Sequence, residues 1–283
     1  MAVIVFSHAN GFPAGTYRVI LEAWRAAGHR VLALDKFGHD PKHPVTSNWP
    51  HVRDELIGFV EREAPGRPVQ LVGHSLGGYL SLLVACHRPD LAAAVVLLDS
   101  PVVGGWRARA LRFGKATGLV RRFSPGKVSH ARRHAWPSAE HALAHFAAKP
   151  AFARWDPRVL ADYIACGIEP AGDGGVRLSF SREIETSFYN TLPHHFDRVL
   201  KRHPPRCPVG FVGGLRSPEN RQAGLAVTQA VVGDHLSWID GSHLFPMEHP
   251  QATAGPVLAL RAQVGPIDRM TEANAVLKEQ FCV

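Results

Sequence analysis

The stretch Val69-Gln70-Leu71-Val72-Gly73-His74-Ser75-Leu76-Gly77-Gly78 decides how the rest of the chain is read. Residues 69–72 have the character of a short buried strand, and residues 76–87 that of a helix. Between them stands G-x-S-x-G. A strand-to-helix turn this tight holds its serine in a strained backbone conformation, and small residues two before and two after keep Cβ atoms out of the way. The Ser75 hydroxyl then projects above the sheet at a helix N-terminus, where backbone N–H groups favour developing negative charge. A strand–turn–helix with incidental glycines would leave both correct flanks unexplained.

Outward from this turn, apolar strand-like runs alternate with helix-like runs. Residues 3–7 form a continuous apolar run followed by Asn-Gly and Pro. Residues 17–27 have helical spacing and stop at Gly28, residues 30–34 are apolar again, and residues 49–63 read as an amphipathic helix ended by Pro65-Gly66. Residues 93–98 form another apolar strand that stops at Asp99. After Pro204-Pro205 come a strand at 209–212, a helix at 219–231, a strand at 235–239 and a helix at 251–264. Residues 265–283 read as one more short helix or a tail. Uniformly apolar strands alternating with helices imply a parallel sheet covered on both faces.

The 283 residues, 46% hydrophobic and 20% charged, fit one large domain or a domain with a big insertion. That apolar content excludes disorder, and 26 Gly with 22 Pro exclude a coiled coil. No run approaches the roughly 18 apolar residues of a membrane span. The start, Met1-Ala2-Val3-Ile4-Val5-Phe6-Ser7-His8, lacks a positive region and reads as a strand, not a signal peptide. Cys86, Cys166, Cys207 and Cys282 lie far apart with no C-x-x-C pair, which suits reduced thiols in a cytoplasmic protein.

The net charge of +8 is unevenly spread. Residues 102–205 hold 17 Lys and Arg against 8 Asp and Glu, so all the excess lies there. From residue 100 to 139 there is no acidic residue, while Arg107, Arg109, Arg112, Lys115, Arg121, Arg122, Lys127, Arg132 and Arg133 accumulate. A nucleic-acid binder would need a recognisable module, and none is present. G-x-G-x-x-G, G-x-x-x-x-G-K-[ST] and H-E-x-x-H are all missing, so dinucleotide, P-loop and zinc-protease readings lack support. His194-His195 and His141-x-x-x-His145 have no companion Cys or carboxylate set. No cofactor and no metal are expected.

A serine hydroxyl needs a base. Among 17 histidines, His243 stands apart in Gly241-Ser242-His243-Leu244-Phe245-Pro246-Met247-Glu248-His249-Pro250, the loop after the last strand, which faces the same sheet end as Ser75. His249 ranks below it, at the start of the next helix.

These motifs together resemble the α/β-hydrolase family over most of the chain. The resemblance is carried by Gly73–Gly77, by the His243 loop with Glu248-x-Pro250, by Ser7-His8-Ala9-Asn10-Gly11-Phe12, and by Asp35-Lys36-Phe37-Gly38-His39. The last is similar to the family's D-x-x-G-x-G turn, with Asp40 in place of the closing Gly. In the family an H-G-x loop after the third strand and the residue after the nucleophile supply two oxyanion-hole amides. By that correspondence they are the backbone N–H groups of Asn10 and Leu76, with His8-Ala9 where His-Gly is usual. Two such donors are worth roughly 3 kcal/mol each at a developing oxyanion. Residues 3–7 match the family's third strand, so the resemblance implies a sheet of about six strands, either trimmed or begun upstream.

The family commonly carries its triad acid in a G-x-x-D turn after the penultimate strand. Here that stretch reads Gly213-Gly214-Leu215-Arg216-Ser217-Pro218-Glu219-Asn220, with no Asp. Asp99, ending its strand before Ser100-Pro101, ranks first for the role. Glu219 is the alternative, its longer side chain reaching back, and a Ser–His dyad is the third option. The acid fixes the imidazole tautomer and stabilises the imidazolium, so this choice bears on rate, not fold.

The expected organisation is a core domain of residues 1–101 and 206–283 with a mainly helical lid at 102–205, whose aromatic residues can line an acyl or alcohol pocket. The expected activity is cleavage of a carboxylic ester or thioester through an acyl-enzyme, on a small-molecule substrate that is anionic or acyl-chain bearing. Carbon–carbon bond hydrolysis, cofactor-free haloperoxidase activity and a non-catalytic binding protein on the same fold are the alternatives. An Asp-nucleophile epoxide hydrolase or dehalogenase is disfavoured because position 75 is Ser. The sequence does not set the oligomeric state.

Overall fold

The computed structural model describes residues 1–172 and 174–263. The N-terminal part runs β1 (Val3–Ser7), α1 (Arg18–Ala26), β2 (Arg30–Ala33), α2 (Pro50–Glu63), β3 (Val69–His74), α3 (Leu76–His87) and β4 (Ala92–Leu98). The middle of the chain carries α4 (Gly105–Ala116), α5 (Leu119–Phe123), α6 (Gly126–Ala131), β5 (Ala135–Trp136), α7 (Ala139–Ala147), α8 (Pro157–Gly167), β6 (Ile168–Pro170), β7 (Val176–Leu178), α9 (Arg182–Asn190) and α10 (Phe196–Arg202). The chain then returns through β8 (Val209–Gly214), α11 (Pro218–Ala223), α12 (Ala226–Val232), β9 (Leu236–Ile239), α13 (Phe245–Glu248) and α14 (Pro250–Gln263). The residues 265–283 and Cys282 lie outside the described residues.

Six strands form one sheet in the order β2-β1-β3-β4-β8-β9, and every pairing is parallel. The order places β3 in the interior, so the turn at Ser75 rises near the middle of the sheet edge. Both sheet faces are covered, which explains the unbroken apolar runs. On β1, Val3 and Val5 pack into one core with Leu56 and Val60 of α2 and Leu80 and Leu83 of α3. Ile4 and Phe6 pack into the other with Ile20 and Trp24 of α1 and Val257 of α14. Burying each such side chain contributes roughly 1.5–3 kcal/mol, an upper figure because the unfolded chain is itself partly collapsed.

Two details differ from the sequence reading. The helix expected over 219–231 is two helices, α11 and α12, broken at Gly224, whose φ of +72° an L side chain rarely adopts. The segment 102–205, expected to be helices and loops, also carries the antiparallel sheet β5-β7-β6. These strands have two or three residues each, too few for an alternation pattern to show.

The 102–205 segment packs on the loops that leave the C-terminal ends of β1 and β2. The Phe12 ring meets those of Phe152, Trp155 and Tyr163, and Asn10 Nδ2 donates to the Glu185 carbonyl at 3.0 Å. A Cβ on Gly38 would fall 3.1 Å from the Phe188 ring.

Candidate active site

Ser75 sits between β3 and α3 at φ +53° and ψ −113°, a backbone conformation that a non-glycine residue holds only under strain. Its neighbours make that turn possible. A Cβ on Gly73 would fall 2.1 Å from the Gly77 carbonyl, one on Gly77 2.0 Å from the Ser7 carbonyl oxygen, and one on Gly78 2.1 Å from Ser100 Oγ. The Ser75 N–H donates to the Leu98 carbonyl of β4 at 2.9 Å, anchoring the turn to the neighbouring strand. The approach of Gly77 to Ser7 and His8 also brings the β1 loop against the start of α3. Asn10 and Leu76 thereby lie on adjoining segments, and neither of their backbone N–H groups has a protein acceptor among the described residues.

The β1 loop is held by buried polar contacts. Phe37 N–H donates to His8 Nε2 at 3.0 Å, so the His8 proton is on Nδ1, which donates to the Ala9 carbonyl at 2.8 Å. Burial lowers the His8 pKa to about 4 and keeps the ring neutral. The Ala9 N–H donates to the Tyr17 hydroxyl at 3.2 Å.

His243 follows β9 in a loop fastened at two points. His74 Nε2 donates to the His243 carbonyl at 2.9 Å while its Nδ1 accepts from the Tyr17 hydroxyl at 2.7 Å. One line of hydrogen bonds therefore joins the β1 loop, the serine turn and the His243 loop. Burial lowers the His74 pKa to about 3, so it acts as a neutral linker. The Glu248 carboxylate accepts from the Ser242 N–H at 2.9 Å and the Ser242 hydroxyl at 2.6 Å, and pairs with Arg154 at 3.1 Å. His249 ends α13 and takes no part in this arrangement.

His243 Nδ1 lies 2.6 Å from Asp99 Oδ2. Asp99 is buried at the end of β4, with φ +44°. Its carboxylate accepts from the Gly214 N–H at 2.7 Å, Asn220 Nδ2 at 2.9 Å and the Ser217 hydroxyl at 2.5 Å. Burial pushes the Asp99 pKa up, but the His243 bond and these donors outweigh it and leave the carboxyl below its usual range. Burial likewise opposes the His243 imidazolium, yet its bond to Asp99 and the charges of Glu219 and Asp99 leave its pKa raised. Both shifts describe the same pairing from its two sides.

Glu219 is 41% exposed along its side chain, 3.8 Å from His243 Nδ1, and its Oε2 is 3.0 Å from Ser217 Oγ. The structure thus brings Ser75, His243, Asp99 and Glu219 to one sheet edge, with Asp99 in direct hydrogen-bond contact and Glu219 behind it. His243 is 19% exposed, and its Nε2 has no protein partner among the described residues, nor does a hydrogen bond join it to Ser75 Oγ there. Such bonds are often long without substrate and tighten in the Michaelis complex. One donor atom from each of Asp99, Glu219 and His243 falls within 4.8 Å of the others, a set that could also grip a divalent cation.

Sequence reasoning missed Tyr17, His74, Gly214, Ser217, Asn220 and Glu248 as site residues. For three of them a signal existed. The segment that lacks the expected Asp supplies Gly214, Ser217 and Asn220 as donors to a carboxylate on the adjacent strand.

The sequence profile of the Alpha/beta hydrolase family matches residues 4–255. This chain belongs to that family. Among curated α/β-hydrolase relatives, the monoglyceride lipase of Mus musculus is 34% identical over 108 residues, 36% of this chain and 35% of that protein. The probable esterase PIR7A of Oryza sativa subsp. japonica is 41% identical over 98 residues, 33% of this chain and 37% of that protein. The chain spans little more than a third of the length of these relatives. Among solved structures, E-2-(acetamidomethylene)succinate hydrolase superposes with a TM-score of 0.65 at 22% identity, covering 92% of this chain and 90% of that one. The thioesterase domain from the curacin biosynthetic pathway gives 0.66 at 21% identity, covering 91% and 90%. At these identities the superpositions establish the α/β-hydrolase fold. Among the described residues no helix is long and apolar enough to cross a membrane.

Proposed function

We propose that this α/β hydrolase is a serine hydrolase that cleaves a carboxylic ester or thioester, with residues 102–205 as its lid. The observation that carries the reading is the 2.6 Å contact of His243 Nδ1 with buried Asp99, beside a serine held at φ +53°. The Asp99 carboxylate accepts a hydrogen bond from His243 Nδ1–H, which keeps the proton on Nδ1 and leaves Nε2 as the base. His243 Nε2 takes the Ser75 proton as Oγ attacks the carbonyl carbon, and the amides of Asn10 and Leu76 receive the oxyanion. The imidazolium then protonates the leaving alcohol or thiol. Water attacks the acyl-enzyme with His243 again as base, releasing the acid and restoring Ser75. The relatives named as lipase and esterase support an ester substrate, small and acyl-chain bearing.

A fluorophosphonate probe and a panel of p-nitrophenyl esters of increasing acyl length, run beside a thioester, test this. Labelling at Ser75 with turnover of one series supports it. Absence of labelling and of turnover leaves a binding protein on the same fold.

A further inference from the structure

We infer that the outward face of α4 docks on an anionic lipid bilayer. Of the eight large apolar side chains exposed among the described residues, four fall between residues 106 and 128: Trp106, Phe113, Leu119 and Val128. Trp106 is 63% exposed, Phe113 64% and Val128 72%. On α4, Trp106, Arg109, Ala110 and Phe113 follow the i, i+3, i+4, i+7 spacing that places them on one helix face, and all four are exposed. The opposite side is anchored. Ala108 is buried, Gly105 N–H donates to Asp197 Oδ2 at 2.8 Å, and Lys115 Nζ donates to the Thr191 and Leu192 carbonyls at 3.1 and 2.9 Å. The aromatic face is thereby fixed toward solvent.

The charge around this face names the occupant. Arg109 and Arg112 of α4 are exposed, as are Arg122 and Lys127 on the two short helices that follow, and none has an acidic partner among the described residues. The Arg107 guanidinium lies 4.7 Å from the Trp106 ring centroid, setting a cation beside the indole. A second copy of this chain would bring one basic face against another. Aromatic side chains among exposed cations match a surface that offers both negative headgroups and an apolar layer beneath them, which an anionic bilayer does. α4 begins six residues after Asp99, so it starts at the end of the sheet that carries Asp99. The inference does not depend on ester hydrolysis.

The full chain is floated with phosphatidylcholine vesicles and with vesicles in which a third of the lipid is phosphatidylglycerol. Binding at least ten-fold stronger to the anionic vesicles, weakened by added salt and accompanied by a blue shift of tryptophan emission, is expected. The W106S/F113S and R109Q/R112Q variants are each expected to lose about ten-fold of that binding with an unchanged melting temperature, since all four side chains are exposed. Equal binding to both vesicles, no binding, or variants that bind like the parent would overturn the inference. So would a dimer in light scattering that the W106S/F113S variant abolishes, which would give this face to a second copy.

Discussion

His243 and Asp99 are separated by 144 positions in the chain and meet at 2.6 Å. The carboxylate comes from the end of β4 and its three other donors from β8, the turn after it and α11, so its surroundings are assembled across two paired strands. Glu219 stands 3.8 Å from the same ring nitrogen. Asp99→Asn is therefore expected to lower kcat by roughly 10²-fold, short of the roughly 10⁴-fold typical when a triad acid is lost with no second carboxylate nearby. Glu219→Gln alone is expected to cost a few-fold, and the double variant far more than the product. Steady-state kinetics on one ester check this; a Glu219→Gln loss larger than that of Asp99→Asn would reverse the two roles.

Replacing Ser75 by Ala removes the proposed nucleophile and leaves the remaining groups in place. Turnover is expected to fall by about 10⁴-fold or more while the amides proposed to receive the oxyanion retain some rate above water. Fluorophosphonate labelling should vanish with no change in circular dichroism.

The His243 pKa is raised above its ordinary 6.5 by the net effect of Asp99 and Glu219 over burial. Protonated His243 cannot accept the Ser75 proton, so kcat/KM is expected to fall on the acid side with a midpoint above 6.5. Removing the Glu219 charge withdraws one stabiliser of the imidazolium, so in Glu219→Gln that midpoint moves to lower pH. A pH–rate profile of both proteins gives the comparison, and a shift toward higher pH would contradict the geometry.

Gly77→Ala would set a methyl group 2.0 Å from the Ser7 carbonyl oxygen, a backbone atom with no freedom to withdraw. Destabilisation of about 1–3 kcal/mol or more is expected, read as a drop of several degrees in melting temperature. Gly172→Ala, which meets nothing within 4 Å, serves as the control.

Much of the fold was legible because its signals are local. The helix over 76–87 and the strand over 3–7 have abrupt boundaries and coincide with α3 and β1. The break at Gly224 was not legible, since an isolated glycine inside a helical pattern is usually tolerated. At the site, Ser75 and His243 carry motifs, and strand order sets which acid contacts the histidine. Only the pairing of β4 with β8 brings Ser217 and Asn220 to Asp99, and no spacing in the sequence encodes that neighbourhood. Tyr17 and His74 were hidden for a related reason, as their hydrogen bonds join three loops distant in the chain.

His74 grips the main-chain carbonyl of His243 and Glu248 grips the adjoining Ser242, so the loop is fastened without using the imidazole itself. Deleting that ring in His243→Ala should then leave a ring-shaped gap in an otherwise standing frame, lined by Asp99. Free imidazole diffusing into the gap would restore part of the lost turnover in a saturable, dose-dependent way.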